Sequence, residues 1–151
     1  MSTLAERYES VSAEVAEAIA ACGRAQSEVE LIVISKNHGA DLVRELHALG
    51  QRHFGENRDQ EAKPKSEEVA ALVDGKDYEY TWHFIGQLQS NKVRSALSYA
   101  SVVHSVDRQS LLDAIIKATQ ERVTPLDVFI QLNLTDDPAR GGIEPKNLFA
   151  F

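Results

Sequence analysis

Cysteine is almost absent. A single one, Cys22, occurs in 151 residues, so no internal disulfide framework exists, and the usage fits a reducing cytosol. Cys22 lies near a predicted helix end with nothing around it to make a reactive thiolate. Positive charge is also scarce. Sixteen basic residues against 23 acidic ones give a net charge of -7. That excludes a general nucleic-acid or anionic-membrane binder, which needs a basic surface, and leaves room for one local basic pocket. No apolar run approaches the roughly 20 residues of a membrane span. The opening "MSTLAERYES" is acidic and amphipathic, without a basic-then-apolar signal pattern. The expected location is therefore the cytoplasm, with no membrane or nucleic-acid partner. No linker or low-complexity segment divides the chain, so one domain is expected. His38, His47 and His53 lack metal-ligand spacing with any cysteine or carboxylate, so no metal is assigned.

What is present is alternation. Leu4, Tyr8, Val11, Val15, Ala18 and Ile19 form one apolar stripe, predicting a helix over Thr3 to Ala21 with Gly23 as its stop. "ELIVIS" follows as a strand without polar alternation, the signature of a parallel sheet covered by helices. Helix is then predicted for Asp41 to Gly50, with Asp41 as cap, and strand for "RHFGEN". Asp59 to Val73 reads as helix, broken where Pro64 restarts it. "TWHFIG", "SVVHSV" and "LDVFIQLNL" read as strands, with helices over "NKVRSALSYA" and over Arg108 to Val123. Five strands alternating with helices predict an α/β fold with a parallel sheet and right-handed crossovers.

Such sheets place their chemistry at the C-terminal ends of the strands. Those ends deliver Ser35, Lys36 and Asn37; Gly55, Glu56 and Asn57; Gly86, Gln87, Gln89, Ser90, Asn91 and Lys92; His104, Ser105 and Asp107; and Gln131, Asn133 and Thr135. Lys36 stands out, because it ends an apolar strand. It could snorkel to solvent. Alternatively it occupies a partly dry pocket with a depressed pKa, able to form a Schiff base with a carbonyl. If Lys36 points inward, so do Ile32 and Ile34, and on the fifth strand Gln131 and Asn133.

"VISKN", "FGEN", "WHFIGQLQSNK" and "HSVD" together resemble the pyridoxal-phosphate homeostasis (YggS/PROSC) family. The resemblance runs in order from the first helix to about Asn133, and the run Trp82 to Lys92 is its most specific piece. Gln87 stands where the family usually has histidine. The resemblance implies a fold similar to the alanine racemase barrel domain, of the (β/α)8 TIM-barrel type. About five of its eight strand-helix units would be present. Residues 1–151 would be a single pyridoxal-phosphate-binding barrel domain truncated on its C-terminal side. It also implies pyridoxal 5'-phosphate as cofactor, held on Lys36 as a Schiff base, with a role in vitamin B6 homeostasis rather than turnover. Asn57 matches a family motif and either bonds the cofactor ring or holds a tight turn. His83 is either a hydrogen-bonded core histidine or a ring-facing cofactor contact. Glu56 is expected to hold loop backbone. Asn91 and Lys92, at a helix start, either cap it or bind an anion.

The family pattern continues into a serine- and glycine-rich phosphate cup that Met1 to Phe151 does not contain, and "ARGG" is too short to replace it. The implied full-length form is monomeric, whereas a 151-residue form is expected to associate through unpaired strand edges. The competing functions are a racemase-like or decarboxylase-like enzyme and an inert fragment. Racemization needs an acid/base on the opposite cofactor face, usually tyrosine. None of Tyr8, Tyr78, Tyr80 or Tyr99 lies at a strand's C-terminal end, which favours binding.

Overall fold

Helix α1 runs Leu4–Ala21 because both of its ends are specified. Thr3 and Glu6 form a capping box, the Thr3 hydroxyl accepting from the Glu6 N–H and the Glu6 carboxylate from the Thr3 N–H. At the far end Gly23 adopts φ +67, and the Gly23 and Arg24 N–H groups close back onto Ala20 and Ile19. Leu4 and Tyr8 pack against the core under the next helix.

The remaining elements are β1 (Val33–Ile34), α2 (Ala40–Ala48), β2 (His53–Glu56), α3 (Asp59–Leu72), β3 (Thr81–Phe84), α4 (Val93–Ala96), β4 (Ala100–Val106), α5 (Gln109–Thr119) and β5 (Asp127–Ile130). They come from a computed structural model that describes residues 2–72, 79–137 and 139–151. The strands form one parallel sheet in the order β1-β2-β3-β4-β5. Sequential parallel strands with helical crossovers are the winding of a (β/α) barrel wall, here five strands wide with β1 and β5 at its edges.

One face of the sheet lies under the helices. Phe54 and Trp82 pack with Val43, Leu46 and Val69, while Phe84, Val103 and Val106 pack with Val93, Leu111 and Ile115. Each fully buried side chain of this kind contributes about 1.5–3 kcal/mol. The other face carries the alternate residues, and no helix among the described residues covers it. Ile34 is 42% exposed there and Phe129 55%. At β5 even the helix-side residues Val128 and Ile130 are exposed.

Several boundaries depart from the sequence expectation. β1 pairs over only two residues of the apolar "ELIVIS" run, Val33 and Ile34, against Phe54 and Gly55. Asp41 does not cap α2. Gly39 holds the cap position without a side-chain bond, and Asp41 instead pairs with Arg44 at 3.0 Å. Pro64 does not break α3, which runs continuously through it. Pro64 is exposed, so solvent can reach the backbone group left without its donor. Val73 lies outside the described residues. α4 is one turn preceded by a 3-10 turn, Ser90–Lys92; residues 97–99 form a turn, and Ala100 opens β4. α5 stops at Thr119 rather than Val123, and Val123 is 98% exposed. β5 ends at Ile130. Beyond it Leu132 bridges to Ile143, and a 3-10 turn follows at Pro145–Asn147.

Candidate functional site

β1 ends in a turn. Ser35 is its first residue, Lys36 and Asn37 follow, and the His38 N–H closes it onto the Ser35 carbonyl at 3.2 Å. Asn37 takes φ +63, a left-handed conformation that asparagine tolerates better than most residues. Lys36 is exposed on the open face, and among the described residues it makes no ion pair or hydrogen bond. The dry-pocket alternative is not built by the described residues, none of whose helices covers that face.

Ser35, pointing the other way, is fully buried and heavily bonded. Its N–H donates to the Gly55 carbonyl at 3.1 Å. Its hydroxyl donates to Glu56 Oε1 at 2.8 Å. Lys65 Nζ, from α3, donates to the Ser35 carbonyl at 2.8 Å and to Glu56 Oε1 at 2.6 Å. Glu56 is wholly buried and Lys65 nearly so, making a buried ion pair directly behind the Lys36 turn. Glu56 was expected to hold loop backbone; its carboxylate instead accepts from the Ser35 and Lys65 side chains, and Lys65 is the group that reaches the loop carbonyl. Lys65 carried no functional reading in the sequence. The available signal was its place on the buried stripe of α3 with Ala62, Ser66 and Val69, where a lysine needs a partner.

The open face carries a second feature that the sequence did not announce. His53 Nδ1 lies 2.9 Å from His83 Nε2, and His83 Nδ1 lies 2.9 Å from His104 Nε2. Glu30 Oε1 accepts from His53 Nε2 at 2.6 Å. At the other end His104 stacks on Phe129, with ring centroids 4.7 Å apart. If all three rings are neutral, only one set of tautomers fits. Each carries its proton on Nε2 and donates toward Glu30. His53 is in register with Thr81, and His83 with Val102. Each rung therefore advances two residues toward the strands' C-terminal ends. Burial, then the neighbouring His104 and His53 charges, lower the His83 pKa to about 4. Burial also lowers that of His104. Both ring nitrogens of His83 are engaged, as in the hydrogen-bonded core alternative. Strand parity could have revealed the ladder, since all three histidines alternate with helix-side residues.

Asn57 is half-buried at the end of β2, and its side chain makes no hydrogen bond among the described residues. It borders a cavity of about 540 Å³ lined also by Arg58, Gln87, Leu88 and Lys92. Gly86 lies against the Asn57 backbone so closely that a Cβ there would collide with the Asn57 carbonyl. Gln87, the departure from the family pattern, similarly occupies the space a Cβ on Gly141 would need. Neither Asn91 nor Lys92 caps a helix through its side chain. Gln131 lies on the open face with Phe129 and donates to the Gly141 carbonyl at 3.0 Å. Asn133 bonds within its own loop, to the Asp137 carbonyl at 3.0 Å. Tyr8, Tyr80 and Tyr99 all lie away from strand C-termini, and Tyr78 is outside the described residues. Burial pushes the Tyr99 phenol up, with the Asp59 and Glu56 charges adding to it, so it stays protonated. No helix among the described residues is long and apolar enough to cross a membrane.

Residues 12–151 match the family described as the alanine racemase N-terminal domain. The pyridoxal phosphate homeostasis protein of Pseudomonas aeruginosa is 40% identical over 151 residues, which is all of this chain and 63% of that protein. The Vibrio cholerae protein of the same name is 35% identical over 151 residues, with the same coverage. Among solved structures, PipY of Synechococcus elongatus with PLP bound superposes with a TM-score of 0.77 at 37% identity, covering 98% of this chain and 61% of that one. The chain thus spans a little under two thirds of the length of the relatives it matches.

Proposed function

The chain belongs to the alanine racemase N-terminal domain family, and from that premise we propose that it binds pyridoxal 5'-phosphate as a Schiff base on Lys36. Its role in this reading is cofactor homeostasis rather than turnover. The observation that carries the proposal is the state of Lys36, an amine at the C-terminal end of a parallel strand, held on a tight turn and engaged by no partner among the described residues. A lysine committed to an ion pair, as Lys65 is, would have to break it first. The similarity to a PLP-bound structure supplies the ligand class.

When bound, pyridoxal phosphate supplies an aldehyde that condenses with a primary amine and releases water. In this chain Lys36 supplies the amine and the Ser35–His38 turn aims it. Asn57, with its side-chain amide uncommitted, serves as the hydrogen-bonding neighbour from β2. His83 contributes through the ring ladder, which fixes the polar bed of the open face, and burial keeps its own ring neutral near pH 7. A turnover reading would need an acid/base facing the other side of the cofactor. The described tyrosines lie elsewhere, and Tyr99 is held protonated by burial. The whole of residues 1–151 is read as one cofactor-binding barrel domain.

The test is an absorbance titration with pyridoxal phosphate, run on the wild-type chain and on Lys36→Ala, followed by an assay for racemization of alanine. The reading predicts a Schiff-base band in the wild type, its loss in the variant, and no racemization above that of free cofactor. An unchanged band in Lys36→Ala would sink it. So would turnover at an enzymatic rate, about 1 per second or faster.

A further inference from the structure

The proposed chemistry requires the Lys36 amine to be held where an incoming aldehyde can be attacked, yet among the described residues Lys36 makes no hydrogen bond or ion pair that would hold it. We infer that Lys65 and Glu56, from the opposite side of the sheet, are the positioning residues of this site, acting through Ser35. The inference rests on the Schiff-base reading of Lys36.

Four bonds fix Ser35: its N–H to Gly55, its hydroxyl to Glu56, and its carbonyl accepting from both Lys65 Nζ and the His38 N–H. The last of these is the bond that closes the turn carrying Lys36. Lys65 therefore grips the same oxygen that defines the turn, and Glu56 orients both Lys65 and the Ser35 hydroxyl through one carboxylate oxygen. Net stability does not account for this arrangement, because a buried ion pair is typically no better than well-packed apolar residues. The second carboxylate oxygen of Glu56 is buried without a hydrogen-bond partner, a further cost. What the pair produces is a backbone held from α3, β1 and β2 at once, with Lys36 projecting from it onto the open face. Displacement of a reacting group by about 1 Å can cost on the order of a hundredfold in reactivity, so even a partial loosening of the turn is measurable.

The experiment compares wild type with Lys65→Met, Ser35→Ala and Glu56→Gln. Two quantities are read: the equilibrium constant for the pyridoxal-phosphate adduct, and amide exchange at His38 in cofactor-free protein. In Lys65→Met the adduct should still map to Lys36. Its equilibrium constant should fall about tenfold, and His38 exchange should rise by a similar factor. Ser35→Ala, which removes only a hydroxyl, should show a smaller loss in the same direction. Glu56→Gln leaves the buried Lys65 ammonium without its counter-ion and should show a loss in the same direction as Lys65→Met. Leu111→Ala, a core variant away from this turn, should leave both quantities unchanged while the protein remains folded. If Lys65→Met does not fold, Ser35→Ala decides. Wild-type adduct formation and wild-type His38 exchange in Ser35→Ala would overturn the inference. An adduct that maps to a lysine other than Lys36 in the wild type would overturn the underlying reading, and this inference with it.

Discussion

Acidification from pH 7 to pH 5 should destabilise this protein through one residue above all, His83. Its imidazole is 5% exposed and sits between two other histidines. Burial chiefly, then the His104 and His53 charges, lower its pKa from 6.5 to about 4. The unfolded chain therefore takes up this proton first. The stability that the neutral ring provides is fully present above pH 6.5 and is lost as pH falls toward 4. Between pH 7 and pH 5 the loss is roughly 2 kcal/mol, and it approaches about 3 kcal/mol below pH 4. His104, lowered by burial, adds to the slope in the same direction. Protonating His83 also forces a second donor onto a ladder in which each ring already donates once. Urea unfolding at pH 7 and pH 5, on wild type and on His83→Gln, measures this. The variant should be weaker at pH 7 but flatter with pH, losing about 2 kcal/mol less than wild type between the two values. Equal losses in the two proteins would show that the ladder is not the titrating element.

Other consequences concern packing and edges. Phe54→Ala should cost about 3–5 kcal/mol in denaturant unfolding, because Phe54 is wholly buried between β2 and the α2–α3 layer. Gly86→Ala should cost about 1–3 kcal/mol by the same measurement, since its Cβ would strike the Asn57 carbonyl. Thr3→Ala should remove a capping box and about 1 kcal/mol. The isolated 151-residue chain should self-associate in sedimentation experiments, because Ile34, Val128, Phe129 and Ile130 are exposed at or beside the two sheet edges. A monodisperse monomer would contradict that last expectation.

The parallel alternation was legible because it is local. The unalternating "ELIVIS" run, the stripe of α1 and the stops at Gly23 and Gly50 are all written within a few residues of the elements they define. The position of Lys36 was legible for the same reason, as a charge at the end of an apolar strand. What escaped was made by pairing across the sheet. His53, His83 and His104 are separated by 30 and 21 residues, and only strand register brings their rings together. Lys65 escaped because a helix read as broken at Pro64 has no defined buried stripe. Once α3 runs straight through, Lys65 lies beneath Glu56 and Ser35.

The most direct test of the account is to reduce the pyridoxal-phosphate complex of the chain with borohydride, digest it, and locate the attached mass. The account predicts modification of the peptide bearing Lys36, with the buried and ion-paired Lys65 unmodified. A mass carried by Lys65, Lys92 or any other lysine, with the Lys36 peptide clean, would contradict it.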